Sequence, residues 1–508
     1  TMERFVTRHG GRIAGILSGF DRMIFRGTLR SISYPAGLEA FLATRRVLLK
    51  DFGRFAQRVS DRVKQHAEML ARTQGRPFEY VASAATSKET IARAIMTRDG
   101  ITDGLICVLS CVEPCRTYDI HRDRVRKQIH PVARERKCLH LYFYYVDRAF
   151  GFMHVRVQTW LPLTIDVYVN GREWLARRLT RAGVAYTPCD NCFTAIADFA
   201  RAQRASDELT TLDWPTLLTA WARRVMPWLD RRSGWDLRPY YWSQRQSEYA
   251  TDVVFAAAAD LATIYPRLTR HAIDAFHAPN VLRFLGRRFG HRSDGEVTST
   301  FKRRTEGVCV RHSVEENSLK MYDKAGRVLR IETTINNPRR FKLRRRTTHA
   351  GRRRTRWVPL RKGVIDLPRR VDLSRAANAR YLDALAVVDD PTVSCHLLDP
   401  VSHPASLDGR RHRPLRPIAP DDAAMEAALL AVSPRPTGFR HQDLLRALAT
   451  LEAPRTPGRI TRQLRLYRAH ALVERIPHTH RYHVTAQGHL VMATALRVRH
   501  AQVTLMAA

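Results

Sequence analysis

The densest apolar patterning lies in residues 138–169, where CLHLYFYYVD, FGFMHVRVQTW and LTIDVYV follow one another with turns at 148–151 and around Pro162. β-Branched and aromatic residues fill these runs, which predict three strands. Residues 12–29 (RIAGILSGFDRMIFRGTL) have a similar apolar content, with glycines at 15, 19 and 27, and predict a strand or hairpin. Beyond them the period becomes helical. Leu38, Phe41 and Leu42 begin one apolar stripe, and Phe52, Phe55, Val59 and Val63 continue a second, with Lys and Arg opposite. Residues 78–82 and 104–112 predict further strands around a short helix at 88–96. After Asn170-Gly171 the stretch EWLARRL is helical again, so strands and helices mix over residues 1–210, as in an α/β or α+β body.

Residues 214–229 and 252–289 read as mainly helical, giving a helical section over 211–290. EVTSTFKRR, GVCVRHSV, SLKMYD and VLRIETTI then predict an antiparallel meander, with turn signals such as Ala325-Gly326 between the strands. The most basic segment follows. Residues 339–370 hold fourteen Lys and Arg against one acid, Asp366. Residues 374–388 are helical, and 391–420, rich in Pro, Asp, Ser and His, read as a linker. The expected fold class is therefore α+β (mixed α/β) and multidomain, with a meander and basic segment over 291–390 and a C-terminal domain over 421–495.

Charge narrows the function classes. The 508 residues include 86 Lys and Arg against 48 Asp and Glu, a formal charge of +38. With 44% hydrophobic residues the chain is no disordered polycation. No run of about 18 apolar residues lacks a charge, and Met2-Glu3-Arg4-Phe5-Val6 does not open a signal peptide, so a soluble bacterial protein of the cytoplasm and nucleoid is expected. Codon bias explains why Arg outnumbers Lys but not the excess of bases over acids. Nucleic acid is the polyanion that such an excess neutralises, with DNA and structured RNA both suitable and a membrane surface less so. The eight cysteines form no disulfide framework. Cys189-Asp190-Asn191-Cys192 has zinc-ligand spacing, but its nearest candidate partner pair, Cys111/Cys115, lies more than 70 residues away, so reduced thiols without structural zinc are expected.

Residues 421–490 resemble a winged-helix domain of the bacterial transcription-factor type. Ala424 opens the first helix, HQDLLRALAT is the second, ITRQLRLYRAH the third, and LVERI with RYHVT the wing. Ile460, Leu464 and Tyr467 face one way, while Arg459, Arg462, Arg465 and Arg468 project elsewhere. The resemblance implies that this helix enters a major groove, with His480 and Arg481 of the wing near phosphates. Arg339, Arg340, Lys342, Arg344, Arg345, Arg346, Arg352, Arg353 and Arg354 are the further nucleic-acid contacts expected, from the basic segment.

Metal-assisted phosphodiester chemistry needs carboxylates converging from different strands. Against a surplus of Arg, acids within apolar strands stand out: Asp21 in GFDRMIFRG, Asp147 ending LYFYYVD, Asp166 in LTIDVYV, Glu173 opening a helix, and Asp323 and Glu332 in MYDKAGRVLRIE. Asp21, Asp147, Glu173, Asp323 and Glu332 are the catalytic candidates, with Asp21, Asp323 and Glu332 as ligands of Mg²⁺ or Mn²⁺. The competing reading is ion pairing with neighbouring Arg. MYDKAGRVLRIE is similar to a stretch in phage and plasmid replication initiators, which implies Tyr322 as a nucleophile. The paired-histidine motif of those proteins is represented here only by His154-Val155-Arg156-Val157-Gln158. A ribonuclease-H-like arrangement would set Asp21 on the first strand, although Arg22 stands near where that pattern carries glycine. No phosphate loop, dinucleotide fingerprint or HExxH motif is present. Tyr240, Tyr241 and Trp242 either stack on unpaired bases or pack in a core. The leading expectation is a metal-dependent nuclease or transposase-like protein of a bacterial mobile element or defence system, working with DNA, structured RNA or a guide RNA. The alternative is a non-enzymatic winged-helix regulator or architectural protein.

Overall fold

A computed structural model describes residues 2–123, 125, 127–229, 239–286, 297–305, 307–349, 352–388, 393–433, 438–477 and 479–500. The fold is mixed α and β. Two compact units are each discontinuous in sequence: Ala14–Phe255 with Arg327–Arg375, and Thr1–Ile13 with Ala256–Gly326 and Ala376–Ala508. In chain order the strands among the described residues are β1 (Ile13–Thr28), β2 (Phe78–Tyr80), β3 (Gly104–Asp123), β4 (Gln128–Asp147), β5 (Gly151–Gln158), β6 (Ile165–Asn170), β7 (Tyr186–Cys189), β8 (Cys192–Ile196), β9 (Tyr241–Phe255), β10 (Thr298–Arg304), β11 (Gly307–Val314), β12 (Asn317–Lys324), β13 (Val328–Thr334), β14 (Lys342–His349), β15 (Arg352–Pro359), β16 (Ala405–Leu407), β17 (Arg410–His412), β18 (Val473–Arg475) and β19 (Tyr482–Val484).

In the larger unit the strand order is β13-β9-β1-β6-β5-β4-β3-β2. β13 runs antiparallel to β9, β1 to β6, and β3 through β6 pair antiparallel in succession, while the short β2 is parallel to β3. Helices cover both faces of the central strands. Phe25, Phe143, Val155 and Val167 face the helix Phe52–Thr73 and the tryptophans 174, 214 and 221. Cys107, Leu109 and Tyr144 of the opposite face meet Ala92 and Ile95 of the helix Lys88–Arg98. Burial on both faces is why LYFYYV is apolar without alternation. In Phe52–Thr73 the buried positions are Phe52, Ala56, Val59, Ser60, Val63, Ala67 and Ala71, the period of one helix face against a core.

Several elements differ from the sequence expectation, among them the stretch 391–420, read as a linker, which carries the helix Val393–Leu398, the paired strands Ala405–Leu407 and Arg410–His412, and the buried Val401 and Leu415. β9 is a strand through Phe255, and the next helix begins only at Ala258, so the first residues of the expected 252–289 helix complete a strand. The run EYATDVVF is β-branched enough to pair with β13 despite Glu248 and Asp252, four apart. β3 also continues beyond residue 112 to Asp123, pairing with β4 to the register Asp123↔Gln128, because polar and apolar positions alternate along this half-solvated extension. The basic segment forms a two-stranded ribbon, β14 with β15.

The smaller unit contains the antiparallel set β10-β11-β12 and the helices Ala258–Ala275 and Ala278–Phe284. Toward its C-terminus come the helices Pro420–Val432, His441–Thr450 and Pro457–Ala469, a ribbon of Val473–Arg475 with Tyr482–Val484, and the helix Ala486–His500. Leu429, Phe439, Leu444, Ile460, Leu464 and Tyr467 form their shared core. Among the described residues no helix is long and apolar enough to cross a membrane.

Asn170 links the sheet to the next helix. Its side chain accepts hydrogen bonds from the Arg172 and Glu173 amides and caps the helix Gly171–Arg181. Gly171 lies against β1 so closely that a Cβ there would meet the Phe20 carbonyl oxygen at 2.2 Å. Gly171→Ala is expected to cost about 1–3 kcal/mol in urea unfolding, because backbone must move to admit the methyl. The same change at Gly53, where a Cβ meets nothing within 4 Å, is expected to stay within about 0.5 kcal/mol.

Candidate metal centre

β13, β9 and β1 are neighbours in the sheet, and each contributes one acid to a common point. Asp21 of β1, Glu248 of β9 and Glu332 of β13 each offer a carboxylate oxygen within 4.8 Å of the others. The register explains part of this: Glu332 lies opposite Ala250, and Glu248, two residues from Ala250, shares its face. Asp21 is 1% and Glu332 2% exposed, whereas the Glu248 side chain keeps 14%.

Buried guanidinium groups hold the frame. Arg330, on β13 and fully buried, donates from Nε to Asp252 Oδ1 at 2.6 Å and from Nη2 to Asp252 Oδ2 at 2.8 Å. Its Nη1 donates to Asp21 Oδ2 at 3.0 Å, and Nη2 also reaches the Asn191 carbonyl at 2.8 Å. Arg172 adds an ion pair to Asp252 Oδ2 at 2.9 Å. Asn191 Nδ2 donates to the same Asp21 Oδ2. The other oxygen, Oδ1, is buried and accepts no hydrogen bond.

Charges of both signs are concentrated here. Asp21, Glu248, Asp252 and Glu332 face two buried guanidiniums, Arg330 and Arg172, while half-exposed Arg22 approaches Glu248 at 4.0 Å from the rim. Burial pushes the Asp21 carboxyl above its ordinary range, outweighing the Arg330 charge, and Glu332 adds to the rise. Asp166 behaves oppositely. Burial raises it too, but Arg26 at 2.8 Å, Arg245 at 2.8 Å and Arg156 at 3.1 Å together hold it below the usual range. Asp166 is thus a saturated ion-pair centre, whereas Asp21 Oδ1 accepts no hydrogen bond among the described residues. An all-oxygen donor set with an orphaned buried oxygen fits a hard divalent ion such as Mg²⁺ or Mn²⁺.

Of the acids expected from sequence, Asp21 and Glu332 come together. Asp147 accepts from the Ala149 and Phe150 amides at 2.8 and 3.0 Å and shapes the β4–β5 turn. Glu173 accepts from the Phe152 amide at 2.7 Å and meets Arg93 at 3.4 Å. Asp323 belongs to the smaller unit, where its amide donates to the Tyr265 hydroxyl at 3.0 Å. Tyr322, beside it, is buried with Arg304 over its ring. Glu248 was not among the sequence candidates. Its signal is the alternation of SEYATDVVF, which places Glu248 and Asp252 on one side of a strand. The Cys189–Cys192 spacing serves the β7–β8 turn: Cys192 Sγ lies 3.1 Å from the Cys189 carbonyl, and the tip presents Asn191 to Asp21.

The expected nucleic-acid contacts divide. Arg339, Arg340, Lys342, Arg344, Arg346, Arg353 and Arg354 are exposed, while Arg345 is half-buried and tied to Asp366. The Arg352 backbone pairs with His349 at the ribbon end. Arg462 and Arg465 are exposed, Arg468 is half-buried and Arg459 pairs with Asp421 at 2.7 Å. His480 is exposed, and Arg481 donates to the Gly438 carbonyl at 3.1 Å. No family model matches the chain, and no curated protein or solved structure matches it.

Arg330→Met is expected to destabilise the protein by about 3–5 kcal/mol, since it removes the guanidinium bonded to buried Asp21 and leaves Asp252 to Arg172; urea unfolding measures this. In chelator, the raised Asp21 pKa means that its favourable contribution is complete below the unfolded-state pKa and fades as pH rises through the folded value. The stability of Asp21→Asn relative to wild type is therefore expected to increase with rising pH. A gap that is flat with pH would contradict the assignment.

Proposed function

We propose that the chain is a metal-dependent phosphodiester-cleaving nuclease, or a transposase-like relative, that acts on DNA or structured RNA within a bacterial mobile element or defence system and works at the nucleoid. The carrying observation is the convergence of Asp21, Glu248 and Glu332, with Asp21 Oδ1 buried and accepting no hydrogen bond among the described residues, in a chain of +38 charge. Asp21 Oδ1, Glu248 and Glu332 would hold Mg²⁺ or Mn²⁺. When bound, such an ion polarises a phosphate and lowers the pKa of water. Arg330 and Asn191 fix Asp21 through Oδ2 and leave Oδ1 for the ion. Glu248, the most exposed of the three, marks the side from which substrate approaches.

Binding rests on two basic surfaces. In the β14–β15 ribbon Arg346 and Arg354 are both exposed on adjacent strands, where a polyanion can lie along them. Trp357, 64% exposed and opposite Arg344, offers a ring face to a base. A two-stranded ribbon also has the width to enter a major groove. The C-terminal helices and short ribbon are read as a winged helix, with Arg462 and Arg465 of Pro457–Ala469 as its groove contacts. The charge also suits a bound structured or guide RNA.

A second reading has its own support. Asp21 and Glu332 are almost wholly buried within an arginine network, as in a non-enzymatic regulator or architectural protein whose acids serve folding. Incubation of labelled DNA and RNA with the protein in Mg²⁺ or Mn²⁺ separates the two. Under the nuclease reading, cleavage is expected with metal, lost in Asp21→Asn and Glu332→Gln, with binding and fold retained. Arg346→Ala with Arg354→Ala is expected to weaken binding and lower the salt slope by about one for each phosphate no longer neutralised. Salt-dependent binding without cleavage, and without a metal-induced rise in Tm, would establish the regulator instead.

A further inference from the structure

Away from the carboxylates, β3 and β4 bring together Cys115, Cys138 and His140, one ligand atom of each within 4.8 Å of the others. The hairpin register sets Cys138 opposite Glu113 and Cys115 opposite Arg136, so the two cysteines are diagonal neighbours on one face. Their Sγ atoms lie 2.7 Å apart. His140, two residues along β4, shares that face and is 1% exposed. Its Nδ1 lies 3.1 Å from the Cys138 carbonyl, which can only accept, so Nδ1 carries the proton and Nε2 the lone pair. Nε2 is buried and has no hydrogen-bond partner. A buried lone pair without a donor is costly unless something else occupies it. A backbone carbonyl that fixes the tautomer of a ring is also the usual second contact of a metal-bound imidazole.

We propose that Cys115, Cys138 and His140 form a binding site for a thiophilic divalent ion, Zn²⁺, with the fourth tetrahedral position left to water. Two sulfurs and one imidazole are the donor set that Zn²⁺ favours and Mg²⁺ does not. Cys115 and Cys138 are half-buried as residues, and the cluster of ligand groups they form with His140 is itself buried. On binding, each thiol releases its proton to solvent as its sulfur bonds to the ion, and no electron is transferred. Tetrahedral Zn–S bonds separate the two sulfurs by about 3.8 Å, a widening that side-chain rotation supplies. The chain would then hold a hard ion at its carboxylates and a borderline ion here, sorted by ligand softness. This assignment stands independently of the proposed nuclease activity.

The test uses the full chain, stripped of metal, reduced and titrated with Co²⁺. A thiolate-to-cobalt charge-transfer band that saturates at one equivalent is expected, and mass-spectrometric metal analysis of the chain purified without chelator should give one bound zinc. Cys138→Ser should abolish both signals, while Cys189→Ser and Asp21→Asn should leave them intact. The proposal is overturned if Co²⁺ produces no such band on the reduced native chain, or if the band survives Cys138→Ser. It is equally overturned if the chain purified without reductant is two hydrogens lighter, with Cys115 and Cys138 in one cross-linked peptide.

Discussion

One guanidinium organises the edge of the larger unit. Arg330 is completely buried and divides its donors among Asp252, Asp21 and the Asn191 carbonyl. A cation in that position is tolerable only because carboxylates meet it with near-ideal geometry, and those carboxylates are tolerable only because of it. The mutual dependence ties β13, β9, β1 and the β7–β8 turn into one electrostatic unit. It also bonds one oxygen of Asp21 and leaves the other, buried, with no hydrogen bond among the described residues. The same arginine that stabilises the fold therefore sets which face of that carboxylate stays open.

Much of the fold was legible because burial on both faces writes itself into composition. The runs of β4, β5 and β6 have no other plausible home than a covered sheet, and residues 12–29 folded as one long strand. The interior of β9 was harder. Glu248 and Asp252 stand four apart, a spacing that suits a helix face as well as one side of a strand, and only pairing with β13 decides between them. The two units are each discontinuous, since the chain leaves each unit and returns to it much later.

The candidate centre was half visible for a similar reason. Asp21 and Glu332 sit in apolar surroundings where an acid needs an explanation, so sequence alone singles them out. The roles of Asp252 and Arg330 depend on a register that joins residues 78 positions apart. The cysteines show the reverse difficulty. Cys111 and Cys115 look like a pair in sequence, but four residues along a strand separate them by about 13 Å. Cys115 and Cys138 look unrelated, and the hairpin makes them neighbours.

The β7–β8 turn decides how Asp21 is uncovered. Asp190 takes a left-handed conformation with φ 51° so that Asn191 can give its amide to Asp21 and its carbonyl to Arg330. Two hydrogen bonds to charged groups are worth about 3–6 kcal/mol, and Phe193 and Ile196 of β8 are buried in the main core of the unit. The cover over Asp21 is thus fastened by packing as well as by charge, and it opens only as far as that packing loosens.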